Sequence, residues 1–378
     1  MALRAYHSYK RVALIHDYFV TLRGGERIFL ALMRMFPNAD CYVLLQGRAA
    51  LAHLPAGRHL RSTALQLIPS AAKHYRALLP LYPTIARQLD LRSYDLVISS
   101  SSGFCHAAQT SGLHLCYCHS PLRYAWQEYE TTIASQRSPL KRALLSATLS
   151  RVRHADYLAA QRVGTYLANS KTTQERIKAY YGRDSMIVHP FIDIGRFQPD
   201  HSSGRYFLVV SQLLPYKRVD LAVEACTRLG WPLLVVGDGP ERARLEQLAG
   251  PTVSFNARVP EAQLPKIYQD AVALLQCGSE DFGMTALEAQ ASGRPVLAYG
   301  AGGALETVVP GVTGAFFHQQ HVDALIEALR AFTPLDYNPL EIRAHAEHFD
   351  EAHFVGNISN AIAAAEQMRP RTTASGMR

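Results

Sequence analysis

Two hydrophobic periods alternate along this chain. "RVALIHDYF" is a compact apolar run, and "RGGERIFLALMRMF" follows it with apolar residues at helical spacing. The pair predicts a buried strand, a glycine turn and an amphipathic helix. "YDLVISSSS" and "LHLCYCHSP" repeat the strand that runs into small or polar residues. Residues 138–163 predict a helix with basic residues interspersed, and "TYLANS" predicts another strand. Asn169 and Ser170 are good N-caps for the helix "KTTQERIKAYY", and Gly182 is its natural C-cap. The less regular "RDSMIVHPFIDIGRFQPDHSSG" holds two prolines and marks a boundary near 184–204.

Beyond it the pattern restarts. "RYFLVVSQL", "WPLLVVGDGP", "TVSFNARV", "AVALLQC" and "RPVLAYG" read as strands separated by helical segments, the first helix starting near Val219. Strands separated by helices imply parallel sheets, hence two Rossmann-like, doubly wound α/β domains. The expected division is 1–184, a linker at 185–204, a second domain at 205–368 and a disordered tail at 369–378. The cleft between such domains is the default site.

Length agrees, since 378 residues exceed one ordinary core. Six cysteines are too few for a disulfide framework, which makes the cytoplasm the expected compartment. No apolar run reaches the length of a membrane span, and "MALRAYHSYKRVALIHDYF" reads as neither signal peptide nor anchor. Charge changes the picture more. Residues 1–189 carry 24 Lys+Arg and 10 Asp+Glu (+14), and residues 190–378 carry 15 and 21 (−6), which sums to the overall +8. A basic half can meet nucleic acid, anionic lipid or phosphorylated substrates, or can simply serve solubility.

Four stretches invite a chemical reading. "CHAAQTSGLHLCYCHS" holds Cys105, His106, His114, Cys116, Cys118 and His119, but its C-x-C spacing does not suit zinc. Its strand reads as core built with small cysteines, and His119 stands apart at the strand's mouth. "VVGDGPER" has Gly237 and Gly239 but lacks the third glycine of a dinucleotide fingerprint, so a tight turn with Pro240 explains it. "SQLLPYKRVD" puts Lys217 and Arg218 between a strand and a helix, where cations can clamp a diphosphate.

The fourth stretch, "SEDFGMTALEAQASGRP", runs from Ser279 to Pro295. It predicts a helix over Met284–Ser292, with Gly283 near its start and Gly293 and Pro295 ending it. Its first N–H groups make an anion site. Glu280 lies in the preceding loop and Glu288 in the second turn. On one continuous helix the two glutamates would stand about 12 Å apart. A glycosidase pair needs about 5–10 Å across a bond, so two successive grips on an elongated ligand fit better.

Taken in order, these residues resemble the E-x7-E region and flanking motifs of retaining glycosyltransferases of family 4, which have the two-domain GT-B fold. "VSQLLPYKRVDLAVEA", "VVGDGPE" and "SFNARVPEAQLPKIY" carry the likeness in the second half. "HDYF…RGGERI", "YCHSPLRYAW" and "ANSKTTQERIKAYYG…VHPFID" carry it in the first, nearest a subgroup rich in mannosyltransferases of bacterial polysaccharide assembly. The resemblance implies two Rossmann-like domains facing a central cleft. It implies that Glu280 contacts donor-sugar hydroxyls, Glu288 holds the ribose and Lys217 neutralises the diphosphate. Backbone groups of Gly283, Met284 and Thr285 would meet sugar and phosphate, with Gly24 and Gly25 approaching from across the cleft. His119 would lie against the donor sugar, and Arg258–Val259 where the base stacks. Two positions depart from the family pattern: Gln212 stands where an arginine is usual, which Arg218 would offset, and the first loop's "GGxE" is here "GGE", ending at Glu26.

The implied reaction moves a hexose, with mannose from GDP-mannose the first choice, to a lipid-linked or oligosaccharide acceptor. No metal or other cofactor is expected. The basic half suits a peripheral position on the inner face of the cytoplasmic membrane, with "LKRALLSATLSRVRH" lying on anionic lipid through Lys141, Arg142, Arg151 and Arg153. The alternatives are another donor such as a UDP-sugar, or a nucleotide-sugar 2-epimerase of similar fold. A nucleic-acid binder finds no motif here.

Overall fold

The computed structural model describes residues 9–200, 204–257 and 259–369. The chain forms two compact units. Within the described residues the first runs from residue 9 to Asn169, takes Thr173–Val188, and regains the chain from Val355. The second holds Ser170–Thr172 and His189–Phe354.

The first unit carries β1 (Val12–Phe19), β2 (Asp40–Gln46), β3 (Leu60–Ser62), β4 (Leu96–Ser101), β5 (Leu113–Cys118), β6 (Thr165–Ala168) and β7 (Ser185–Ile187). They form one sheet in the order β3-β2-β1-β4-β5-β6-β7, every neighbouring pair parallel. The second unit carries β8 (Tyr206–Val210), β9 (Leu233–Val236), β10 (Val253–Asn256), β11 (Ala271–Gln276), β12 (Val296–Tyr299) and β13 (Gly314–Phe317). Their order is β10-β9-β8-β11-β12-β13, again all parallel.

Both sheets are buried on two faces, which explains strands that read as continuous apolar runs. Along β8, Phe207 and Val209 enter one core cluster while Leu208 enters another. Along β11, Ala273 and Leu275 join the first cluster and Leu274 the second, as a period of two requires. Each sheet reverses its strand order at one point, between β1 and β4 and between β8 and β11. In such sheets ligands bind beyond the carboxyl ends at that reversal.

Helix ends follow the sequence signals closely. The helix Lys171–Tyr181 stops at Gly182 with φ 67°, and Met284–Ala291 is followed by Gly293 with φ 72°. The expected linker departs from the structure at its start, because Ser185–Ile187 pairs with β6 as the sheet's edge strand. The last helix, Glu351–Met368, was expected within the second domain, yet from Val355 on it belongs to the first unit. Of the expected tail, Arg369 donates to the Ser111 carbonyl at 3.2 Å, and residues 370–378 lie outside the described residues.

The cysteine-rich strand β5 is core. All six cysteines are free and buried. His114 is 3% exposed, and its Nε2 lies 2.9 Å from the Ser99 hydroxyl. Burial, with the neighbouring His106, pulls its pKa down to about 3. The folded protein therefore holds His114 neutral while the unfolded chain binds a proton below about pH 6.5. Stability from this group is full above pH 6.5 and declines as pH falls toward 3, by up to about 1.4 kcal/mol per unit. Urea unfolding of the wild type and of His114→Gln across pH 4–7 checks this: the variant should show the flatter acid limb.

Candidate functional site

In the first unit the structure gathers residues from β1, β4, β5 and the helix Gly24–Met35. Asp17, near the end of β1, is 1% exposed and accepts backbone N–H groups from Ser102, Gly103, Phe104 and Cys105 at 2.7–2.8 Å. This carboxylate fixes the loop that leaves β4. His119 directly follows β5. Its N–H donates to the Ser101 carbonyl at 2.8 Å, and its carbonyl accepts from Asn169 Nδ2 at 2.9 Å. Its Nε2 lies 2.8 Å from Ser100 Oγ. Gly25 is beside it, since a Cβ there would stand 3.4 Å from His119 Nε2 and 3.5 Å from His16 Cε1. The three first-unit residues expected from the sequence, Gly24, Gly25 and His119, are therefore neighbours. Glu26, read from sequence as the end of a motif, serves the helix start, where its carboxylate accepts from Arg23 N at 3.0 Å. Burial pushes its pKa up, against the pull of His16 and Arg23.

In the second unit the loops leaving β8 and β11 meet at the strand-order reversal. Gly278 makes this possible, because a Cβ there would come within 2.7 Å of the Lys217 backbone. The approach brings Glu280 onto Lys217, whose ammonium and carboxylate form an ion pair. Their side chains are only 15% and 19% exposed. Burial pulls the lysine pKa down, but the charge of Glu280 leads a set of neighbours that outweighs it, and the net shift is upward. Val210, Ser211, Lys217, Gln276, Glu280 and Thr285 line a recess here.

The helix Met284–Ala291 begins at this recess. Gly283, its N-cap, has φ 104°, a left-handed value that disfavours any side chain. Met284 and Thr285 thus occupy the first turn, where N–H groups lack intrahelical partners. Glu288 lies farther along, and its Oε2 accepts the Tyr268 hydroxyl at 2.8 Å. Tyr268 is fully buried, and burial, then Glu288, raise its pKa.

Arg218 and Val259 have partners of their own. The Arg218 guanidinium is taken by Asp220, with Nε 3.2 Å from Oδ1, and by the Gln320 carbonyl at 3.3 Å. It is not among the residues that line the recess beside Lys217. Val259 packs, partly buried, against the second unit's core, and Arg258 lies outside the described residues. Gln276 is a residue that sequence reasoning missed. It ends β11, is 5% exposed, and neither its Oε1 nor its Nε2 has a hydrogen-bond partner among the described residues. Both atoms crowd Gly283, at 3.3 and 3.4 Å from where a Cβ would sit. Among the described residues, no group of three or more His, Cys, Asp or Glu side chains is arranged to hold a metal ion.

Comparison with known proteins fits this geometry. Residues 22–196 match the Glycosyltransferase Family 4 model, and residues 191–347 match Glycosyl transferases group 1. A GDP-mannose-dependent alpha-(1-6)-phosphatidylinositol monomannoside mannosyltransferase of Mycolicibacterium smegmatis is 31% identical over 42% of this chain and 50% of its own length. A D-inositol 3-phosphate glycosyltransferase of Geodermatophilus obscurus is 32% identical over 53% of each chain. The chain thus spans about half the length of these curated relatives. Among solved structures, Anabaena Alr3699/HepE in complex with UDP shares the fold with a TM-score of 0.66 at 16% identity, over 93% of this chain and 99% of that one. Sucrose-phosphate synthase of Thermosynechococcus elongatus reaches a TM-score of 0.69 at 16% identity, over 95% and 100%. The chain belongs to the family 4 glycosyltransferases, with the GT-B fold.

Proposed function

We propose that this enzyme is a retaining hexosyltransferase that takes mannose from GDP-mannose and passes it to a lipid-linked or oligosaccharide acceptor in cell-surface polysaccharide assembly. The observation that carries the reading is the Lys217–Glu280 pair at the strand-order reversal, beside the start of the helix Met284–Ala291. A buried ammonium and a helix N-terminus suit a departing diphosphate. A loop carboxylate suits sugar hydroxyls, and Glu288 suits the ribose. The choice of mannose rests on the M. smegmatis relative, whose name gives GDP-mannose as its donor.

Glu280 is ion-paired, which fits a grip better than a nucleophile. The step we favour is therefore a front-face substitution: the anomeric C–O bond to phosphate breaks, the acceptor oxygen bonds on the same face, and the departing phosphate receives the acceptor proton. Trapping a covalent sugar–enzyme adduct would sink it. No metal takes part, so transfer should survive a chelator. A thermal-shift panel of GDP-, UDP- and ADP-sugars, followed by transfer assays with the donors that bind, tests the whole reading. Stabilisation by GDP-mannose and transfer from it are expected; preference for a UDP-sugar would replace the donor.

The acceptor reading includes the membrane. No helix among the described residues is long and apolar enough to cross one. The helix Pro139–Ala160 exposes Leu140 (79%) and Leu144 (66%) beside the exposed Lys141 and Arg142, which suits lying on an anionic surface. Arg153 is not part of that surface, because its guanidinium donates to the Ala125 carbonyl and lies over the Trp126 and Tyr129 rings. Flotation with liposomes of neutral and acidic lipid should show binding to the acidic ones only.

Gln276 gives a sharper expectation. A buried amide without a partner costs about 1–3 kcal/mol, and an apolar side chain of similar size removes that cost. Gln276→Leu should leave the unliganded protein as stable or more so, by about 1 kcal/mol. It should also weaken GDP-mannose binding, because an amide at the helix start suits a ligand oxygen. Thermal unfolding and calorimetric titration of the same sample check both halves.

A further inference from the structure

The first sheet has a second cluster of charge at its amino end. A recess of about 530 Å³ opens there, lined by Thr84, Arg87, Arg92, Gln109, Thr110 and Arg162 among others. That volume is within the range of ligand sites. Because β4, β5 and β6 run parallel, the residues just before them share one end of the sheet. Arg92 precedes β4, Thr110 precedes β5 and Arg162 precedes β6. His119 follows β5 at the other end, about 20 Å away by the rise of a six-residue strand. The recess shares no residue with the cluster around His119 or with the recess around Lys217.

Local contacts fix its walls. The helix Tyr82–Gln88 packs on the helix Pro139–Ala160 and on the turn Cys105–Ala107. The last turn of the shorter helix carries Arg87, and Arg162 lies just past the end of the longer one. Gln109 ties these parts together. Its N–H donates to the Leu89 carbonyl and its carbonyl accepts from Leu91 N, both at 2.8 Å. Its Nε2 donates to the Arg87 carbonyl at 2.8 Å. Arg92 is held by Asp90 through two bonds, Nε to Oδ1 at 2.9 Å and Nη2 to Oδ2 at 2.7 Å. Among the described residues, neither the Arg87 nor the Arg162 guanidinium has a hydrogen-bond or ion-pair partner, and no carboxylate lines the recess.

Three guanidiniums around one cavity repel one another, and Asp90 balances one of them. Two positive charges remain. A phosphate monoester dianion matches them, whereas a single carboxylate would leave one unmet. The guanidinium fork also suits phosphate oxygens taken two at a time, and the hydroxyls of Thr84 and Thr110 can donate to a further oxygen. We propose that this recess binds a phosphate monoester, with Arg87 and Arg162 as its main ligands and Arg92, fixed by Asp90, as the third. Such a site stands apart from sugar transfer, whatever the donor. A lipid headgroup and a free phosphate ester both present this chemistry.

Calorimetric titration of the full chain with glycerol 3-phosphate at low salt tests the site, on the wild type, Arg87→Gln, Arg162→Gln and the double variant. Both arginines are exposed, so the double variant should unfold at the wild-type temperature and bind GDP no differently. Each substitution should weaken glycerol 3-phosphate about ten-fold and the pair about 100-fold, one charge-assisted hydrogen bond being lost per guanidinium. No binding by the wild type at millimolar concentration overturns the proposal. So does equal affinity in the wild type and the double variant. Flotation on phosphatidylcholine vesicles that carry phosphatidic acid, or phosphatidylglycerol at matched charge, then identifies the source. A wild-type preference for phosphatidic acid that the double variant lacks marks a headgroup. Equal flotation on both lipids, beside binding of glycerol 3-phosphate, marks a free phosphate ester, and either result upholds the recess. A protein that binds glycerol 3-phosphate as expected but transfers sugar from no donor would uphold the recess and refute the proposed reaction instead.

Discussion

Replacing Asp17 by alanine is expected to remove about 4 kcal/mol or more of folding stability. The carboxylate is buried and accepts four backbone N–H groups, two on each oxygen. Ser101 Oγ adds a weaker bond at 3.3 Å. Hydrogen bonds to a charged group are each worth about 1.5–3 kcal/mol, and donors left buried without an acceptor incur a desolvation penalty besides. Losses above about 4 kcal/mol are exceptional for one substitution, and this site meets the condition for them. A domain's total is only about 5–15 kcal/mol, so Asp17→Ala should leave the first unit near its unfolding threshold. Asp17→Asn should be intermediate, because its NH2 group must face two of the four donors while its oxygen still serves the other two. Urea unfolding followed by circular dichroism measures all three proteins. A loss under about 1 kcal/mol for the alanine variant would mean that water or a rearranged loop supplies the missing acceptor. Ser100 and Ser101, which precede this loop, hold His119 through the Ser100 hydroxyl and the Ser101 carbonyl.

Asp17 also marks the limit of what the sequence exposes. The strand that carries it was legible from its apolar run, and so were the helices ended by Gly182 and Gly293, where one residue type meets one backbone conformation. The strands not foreseen have physical excuses. β3 and β7 are three residues long and have no period to read, and β13 has four. β2 is a short continuous apolar run, which periodicity alone does not tell from a buried helical segment. At the site, the residue types at Lys217, Glu280 and Glu288 announced themselves. Their partners did not. The Lys217–Glu280 pair spans 63 positions and depends on the bare backbone of Gly278. His16 meets Ser100 only because β1 lies beside β4 in one particular register. The partner of Arg218 was equally hidden: its φ of 48° turns the chain, and Asp220, two residues on, takes its guanidinium. Gln276 looked like the end of an apolar strand, and only the fold of the Gly283 turn over it reveals an amide with no partner among the described residues.

Lys217→Ala is expected to slow sugar transfer about 10²–10³-fold, the usual cost of deleting one preorganised group that stabilises developing charge. It should also weaken binding of the nucleoside diphosphate, because a diphosphate at the helix start would lose its buried cation. Glu280→Gln separates the two halves of the site. It should abolish measurable transfer, since the sugar loses its carboxylate grip, yet keep diphosphate binding at neutral pH. The variants should then part company as pH rises. In the wild type, Glu280 leads the influences that keep the Lys217 pKa above its ordinary value despite burial. The ammonium therefore persists to beyond about pH 10.5, and the stability that the pair contributes is full below that pH and lost only as pH climbs through the raised folded value. In Glu280→Gln the burial remains and its main opponent is gone, so the lysine pKa falls. GDP affinity of Glu280→Gln should accordingly decline between pH 7 and 9.5 while the wild type holds steady. Calorimetric titration with GDP at both pH values reads this directly, and thermal unfolding of the same samples separates lost binding from lost fold. Wild-type transfer by Glu280→Gln would remove Glu280 from the sugar, and undiminished GDP binding by Lys217→Ala would remove Lys217 from the phosphates. A pH-independent affinity in Glu280→Gln would show that the lysine keeps its charge without the glutamate, which would locate the compensating anion in Asp281 or in the ligand itself.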